Sequence, residues 1–153
     1  MILGIETSCD ETAAAVLDAN GAVLSNVVAS QRVHELYGGI VPELASREHV
    51  ERLPPVIDRA LAEAGASLDG VTGIAVTAGP GLVGALLVGL TTAKGLALAR
   101  GLPFLGVNHL EGHVLSPVLE EPSLAPPALV LVASGGHTLL VHVKALDDLE
   151  VVG

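Results

Sequence analysis

Aromatic side chains are almost missing from this chain: Tyr37 and Phe104 are the whole set, and there is no tryptophan. Any core is therefore aliphatic, closed by Val, Leu, Ile and Ala. Basic residues are also few, seven Lys and Arg against 17 Asp and Glu, for a formal net charge of −10. Seven scattered cations make no patch that grips a phosphate backbone, which argues against a nucleic-acid surface on this segment. The single cysteine, Cys9, excludes a disulfide framework and suits a reducing cytosol, so a cytoplasmic location is expected. The N-terminus turns polar at Glu6 and acidic at Asp10 and Glu11, unlike a signal peptide. No long apolar run is uninterrupted. The longest, Leu82 to Ala99, contains Thr91, Thr92, Lys94 and several glycines, and reads as a buried helix and not a membrane span. What is present is 153 residues, half of them hydrophobic, enough for one solid core and the beginning of a second.

Patterning orders these residues. Met1–Thr7 and Ala13–Leu17 are short apolar strands joined by the polar turn Ser8-Cys9-Asp10-Glu11-Thr12, and Asn20-Gly21 is a tight-turn signal leading to a third strand near Val23–Ala29. After Gly38-Gly39, Pro42 suits the first position of a helix whose apolar side carries Leu44, His49, Val50, Leu53, Ile57 and Leu61. Pro54-Pro55 is expected to kink or split that helix, and Gly65 to end it. A strand over Val71–Thr77, the apolar helix, a strand over Phe104–Val107 and a further helix follow. Three antiparallel strands and then helix, strand, helix, strand, helix predict a mixed sheet with helices on both faces. Glu120–Pro127 (EEPSLAPP) reads as a domain junction. Beyond it, Ala128–Ala133 and Thr138–Val143 flank Ser134-Gly135-Gly136-His137, loosely repeating how the chain begins. The expected division is a first domain over residues 1–122 and the opening strands of a truncated second over 127–153. An isolated hairpin of that kind is marginal in water.

Asn-His-Leu-Glu-Gly-His, residues 108–113, carries the most chemistry. Asn108 offers a helix N-cap, and His109 and His113 share one helical face, so both imidazoles can reach one metal ion. A further ligand must come from elsewhere. A zinc-protease helix is disfavoured, because its general base directly follows the first histidine. Leu110 stands there instead, and Glu111 lies about 100° further around the helix. Two surface or capping histidines spaced by chance remain the other reading. Ser134, Gly135 and Gly136 have little or no side chain, so their backbone N–H groups can approach an anion closely. Thr7 and Ser8 add hydroxyls at the first turn, where Asp10 and Glu11 suit a cation, a water or an amine better than a bare phosphate. Both turns are equally ordinary as β-turns.

Gly79-Pro80-Gly81-Leu82-Val83-Gly84 formally matches a dinucleotide-binding loop. The next strand ends in Asn108 instead of an acidic ribose ligand, and three antiparallel strands precede it, so the glycines are read as close packing or as a helix N-terminus facing an anion. Cys9 is read as a small packing residue, and His34, His49 and His142 as structural.

The stretches GIETSCDET (4–12), GGIVPELASREHV (38–50), TAGPGLVGALLVG (77–89), NHLEGH (108–113) and SGGHT (134–138), in this order over essentially the whole chain, resemble the N-terminal half of the TsaD family, formerly called glycoproteases. The resemblance implies the actin-like, sugar-kinase-like ATPase architecture, two ribonuclease-H-like domains of mixed sheet flanked by helices with the ligand between them, here with the second truncated. It implies transfer of the threonylcarbamoyl group from threonylcarbamoyl-adenylate to N6 of the adenosine next to the anticodon of tRNA. It also implies one iron or zinc ion on His109 and His113 with an aspartate of the second domain, and an adenylate-type ligand (threonylcarbamoyl-AMP, or ATP or ADP) on Val132, Ala133, Ser134, Gly135 and Gly136. Relatives commonly have Leu-Val at Val132-Ala133, a difference of little weight if the contacts are mainly backbone. Asp10 and Glu11 are candidates for the carboxylate that takes the amine's proton. The family works with TsaB- and TsaE-like proteins and reaches tRNA through the assembled complex, with a homodimer or a TsaB-like heterodimer as the expected assembly and no membrane. Family members are about twice this length, so this piece is expected to be inactive alone. The alternatives are a non-catalytic TsaB-like scaffold, which needs no metal ligands, and a small-molecule kinase of the same fold.

Overall fold

Strict alternation in the first 30 residues builds a three-stranded meander. β1 (Ile2–Glu6), β2 (Glu11–Leu17) and β3 (Val23–Ser30) pair antiparallel, with Leu3 opposite Val16 and Ile5 opposite Ala14. Period-two geometry sends Leu3, Ile5, Ala14, Val16 and Val27 to one face, where all are buried. The Asn20-Gly21 turn forms as expected: Gly21 takes a φ of 84°, and Asp18 Oδ1 accepts from the backbone N–H groups of Asn20 (2.7 Å) and Ala22 (2.9 Å). The structure, a computed structural model, describes residues 1–134 and 138–153, without the side chains of Glu35 and Pro122. They form two compact units, Met1–Asn108 and His109–Gly153.

In the first unit, β4 (Gly73–Gly79) pairs parallel with β1, and β5 (Phe104–Asn108) parallel with β4, giving the sheet order β3-β2-β1-β4-β5. Parallel neighbours need crossovers, which α1 (Pro42–Glu63) and α2 (Val83–Arg100) supply. Pro42 opens α1 as expected. The helix ends in a double bond around Gly65, with Ala66 N–H to Leu61 O (2.9 Å) and Gly65 N–H to Ala62 O (3.0 Å). Of the expected kink or split at Pro54-Pro55, the split does not occur, and α1 runs through both prolines. Both prolines lie on the exposed side, so the carbonyls they leave without an intrahelical donor, those of Val50 and Glu51, fall on the side that water reaches. Val50, expected on the apolar side, is 61% exposed, and Ala45, Val56 and Ala60 fill that side instead.

α2 departs further from expectation. By length and composition it could cross a membrane, but it buries only the stripe Ala85, Leu86, Gly89, Ala93 and Ala97, leaving Val83, Leu87 and Leu98 exposed. Small residues along that stripe let it lie close to the sheet: a Cβ on Gly89 would meet Thr7 and Val76. The helices pack on one another on one face of the sheet, and within this unit the opposite face leaves Ile2, Leu24, Val28 and Leu105 exposed. Helices on both faces were expected; the unit supplies only two, and both crossovers lie on the same side.

Leu53, fully buried, anchors the layer between α1 and the sheet. Leu53→Ala is expected to cost about 2–5 kcal/mol, seen as a lower urea midpoint at unchanged slope. A cost below about 1 kcal/mol would place Leu53 outside the packed core.

The second unit holds α3 (His109–Glu120), β6 (Ala128–Ala133), β7 (Thr138–Ala145) and β8 (Asp148–Val151), in an antiparallel sheet of order β6-β7-β8. Val114 of α3 shares a small core with Val141 and Val143, which is why α3 groups with this sheet. An apolar cavity of about 420 Å³ lies beside that core, lined among others by Val114, Val118, Leu124 and Val130. The strand β8 was not expected from sequence. It turns the marginal hairpin into three strands, extended by Val152 N–H to Leu140 O (2.8 Å).

Candidate functional site

In the first unit the polar turn after β1 is tied down at three consecutive carbonyls. Ser8 O accepts from the backbone N–H of Leu82 just before α2 (2.8 Å), Cys9 O from His49 Nε2 of α1 (3.1 Å), and Asp10 O from the backbone N–H of Gln31 after β3 (3.0 Å). Three separate elements thus converge on the residues that lead into Asp10. Thr7 Oγ1 adds a bond to Ala85 O (2.9 Å). The close approach of α2 depends on Gly81, whose Cβ would stand 2.6 Å from Ser8 O. Gly81 therefore serves packing, the first of the two roles read for the glycines of residues 79–84.

The two candidate carboxylates differ. Asp10 is half-buried with its backbone held; Glu11 is exposed at the start of β2, where its Oε1 accepts from Ser30 Oγ (3.0 Å). Asp10 is accordingly the more firmly positioned of the two. A third carboxylate escaped the sequence reading. Glu6, at the end of β1, accepts from the Ser8 N–H and from Thr77 Oγ1 of β4, bracing the turn against the neighbouring strand. The signal was available: Glu6 is the one acidic residue of an otherwise apolar strand.

Cys9 is no activated nucleophile. Burial pushes its thiol pKa up, and the charge of Asp10 and a hydrogen bond to that carboxylate push it further. His49 is fully buried, with its pKa lowered chiefly by desolvation against smaller opposing effects of the Cys9 carbonyl and nearby carboxylates. His34 is buried too, its Nδ1 accepting from Val41 N–H (3.3 Å) and its Nε2 bonded to Gln31 Oε1 (2.9 Å). Both were read as structural, and both are committed to internal bonds.

In the second unit the histidine pair converges. His109 and His113 lie at i and i+4 on α3 with Nε2 atoms 3.1 Å apart, ring centroids 4.5 Å apart and planes at 82°. Two nitrogens at about 2.0–2.1 Å from a common ion stand about 3.3 Å apart in tetrahedral geometry and about 2.9 Å apart in octahedral. The spacing fits two ligands of one iron or zinc ion, and His113 is exposed, which leaves that side open. Without an ion, one ring donates Nε2–H to the other. No group of three His, Cys, Asp or Glu side chains that could hold an ion occurs among the described residues, so the pair by itself makes no complete ligand set there.

Of the expected adenylate contacts, Val132 is half-buried and packs on the Val114–Val141–Val143 core, Ala133 closes the ladder opposite Thr138, and Ser134 follows it, exposed. Gly135 and Gly136 lie outside the described residues.

The comparisons with known proteins come down on one side. The family model described as TsaD: tRNA N6-adenosine threonylcarbamoyltransferase matches residues 22–153. Proteins of that name from Caldicellulosiruptor bescii and Clostridium beijerinckii are 53% and 56% identical over the whole chain, which covers 46% and 45% of their lengths. The chain thus spans under half the length of the curated relatives it matches. Among solved structures, YeaZ from Pseudomonas aeruginosa superposes with a TM-score of 0.67 at 22% identity, over 99% of this chain and 64% of that one. That likeness supports the fold, an actin-like, ribonuclease-H-like mixed α/β sheet. A non-catalytic scaffold is the weaker alternative, since the much higher identity lies with proteins named as transferases. The chain belongs to the TsaD family of tRNA N6-adenosine threonylcarbamoyltransferases.

Proposed function

We propose that this chain is the first half of an enzyme that moves the threonylcarbamoyl group from threonylcarbamoyl-adenylate to N6 of the adenosine beside the anticodon in tRNA. The observation that carries the reading is the 3.1 Å approach of the His109 and His113 Nε2 atoms in a chain of this family. The two rings are two ligands of an iron or zinc ion whose remaining ligands lie outside the described residues. When bound, such an ion supplies Lewis-acid polarisation and a fixed point for the donor. In the transfer the N6 amine attacks the carbamoyl carbon, the carbon–oxygen bond to phosphate breaks, AMP departs and the amine loses a proton. The Asp10 carboxylate takes that proton, with Glu11 the second candidate. Backbone amides of the Ser134–Gly136 turn hold the departing phosphate.

On this reading, residues 1–122 form the first domain of the complete protein and 127–153 open the second. The chain alone transfers nothing, because its described residues supply only two of the ion's ligands and part of the adenylate contacts. The acidic composition supports a reading in which the rest of the enzyme and TsaB- and TsaE-like partners grip the tRNA, and that reading places the work in the cytoplasm.

The test joins the chain to the C-terminal half of the Caldicellulosiruptor bescii relative and supplies tRNA, threonylcarbamoyl-adenylate and TsaB- and TsaE-like proteins. Modified adenosine is expected from the joined protein and none from the 153 residues alone. Transfer by the short chain, or none by a folded joined protein where the intact relative is active, sinks the proposal.

A further inference from the structure

We propose that His49 is a positioning residue for the transfer, a buried bracket that sets the turn carrying Asp10 by bonding the Cys9 carbonyl and the Thr12 hydroxyl at once. His49 and Thr12 are both fully buried, so each of their polar atoms needs a partner inside the protein. The bonds fix the tautomer. A carbonyl can only accept, so Nε2 carries the proton donated to Cys9 O at 3.1 Å, and Nδ1 accepts the Thr12 hydroxyl proton at 2.7 Å. One rigid ring on α1 thereby grips the chain on either side of Asp10 and Glu11, at residues 9 and 12. Burial keeps the ring neutral, the only form in which Nδ1 accepts. A carboxylate that must meet an incoming amine loses rate when its backbone shifts by a fraction of an ångström, so the bracket acts on the chemical step without touching the substrate. The Ser8 and Asp10 carbonyls have backbone N–H donors, whereas the donor to Cys9 O is a side chain and so can be replaced.

The inference rests on the proposed role of Asp10, and the experiment separates the two. In the joined protein, His49→Phe removes both bonds, while His49→Gln keeps an amide N–H for Cys9 and an amide oxygen for Thr12. At a temperature where all variants are folded, His49→Phe is expected to lower kcat about tenfold with KM for threonylcarbamoyl-adenylate unchanged. His49→Gln is expected to recover most of kcat. Should His49→Phe not fold, Thr12→Val against His49→Gln reads the same contrast, the valine lowering kcat and the glutamine not. Long-range proton–nitrogen spectra of the wild-type protein should place the ring proton on Nε2.

A ring proton on Nδ1 overturns the proposal, as does wild-type kcat in folded His49→Phe, or in Thr12→Val where His49→Phe does not fold. So does an equal loss in the glutamine and phenylalanine variants, which marks a purely structural role. Asp10→Asn is the control: full activity there removes the role of the turn and the bracket with it. An inactive Asp10→Asn beside a fully active His49→Phe removes the bracket alone.

Discussion

Alanine at both His109 and His113 is expected to strip the joined protein of iron and zinc, from about one ion per chain to background, and to abolish transfer. The size follows from the geometry. Structural zinc sites bind with roughly 10–16 kcal/mol shared over four ligands, so each imidazole accounts for on the order of 3 kcal/mol, about 100-fold in affinity. Each single alanine variant should then weaken metal binding about 100-fold, and the double variant far more. Folding should change little, because His113 is exposed, His109 is only half-buried, and the core of that unit is carried by Val114, Val141 and Val143. With both proteins measured free of metal, a stability change within about 0.5 kcal/mol is expected, well below the effect on metal. If the rings are simply hydrogen-bonded to each other, the double variant loses about 1 kcal/mol and the metal content stays where it was. Elemental analysis of the purified proteins, read beside denaturant unfolding, separates these outcomes without reference to activity. Unchanged metal would falsify the assignment of the pair.

How much of this was legible in the sequence depends on how local the determining physics is. The meander β1–β3, the start of α1 at Pro42 and its end at Gly65 were readable because each rests on residues within a few positions of one another. The histidine convergence was readable for the same reason, since i and i+4 share a helix face. The continuity of α1 through Pro54-Pro55 was not, because it depends on which side of the helix meets water, a tertiary fact. The same holds for Val50, apolar by type yet exposed. β8 was missed because Asp-Leu-Glu-Val has little strand character of its own and acquires it by pairing with β7. The three anchors on Ser8, Cys9 and Asp10 were invisible because backbone carbonyls leave no trace in sequence, and their donors lie 21 to 74 positions away, from Gln31 to Leu82. Glu6 stands out in sequence as the one acid of β1, but its role does not, because Thr77 reaches it from a strand 71 positions away.

The contact between Gly81 and Ser8 gives the second large effect, and a built-in comparison. A methyl group on Gly81 would stand 2.6 Å from Ser8 O and 3.1 Å from Ser8 Cα, and the same carbonyl accepts from Leu82 N–H at 2.8 Å. Backbone faces backbone, so no side chain can swing aside. Either the Ser8–Asp10 turn or the start of α2 must move. Gly81→Ala is expected to destabilise by about 1–3 kcal/mol, the usual cost of overpacking. By displacing the turn it should also lower kcat about 100-fold. Gly84, one turn along, is the control. A methyl group there meets only Ser46 Oγ, the end of a side chain that now bonds Pro42 O at 2.9 Å and can rotate away. Gly84→Ala should therefore cost less than about 1 kcal/mol, offset by the better helix propensity of alanine, and leave kcat within about twofold. Equal behaviour of the two variants would mean that the close approach of α2 does not set the turn. A loss in Gly81→Ala restricted to stability, with kcat intact, would mean that the start of α2 yields and the turn stays in place, or that Asp10 is not the group taking the proton.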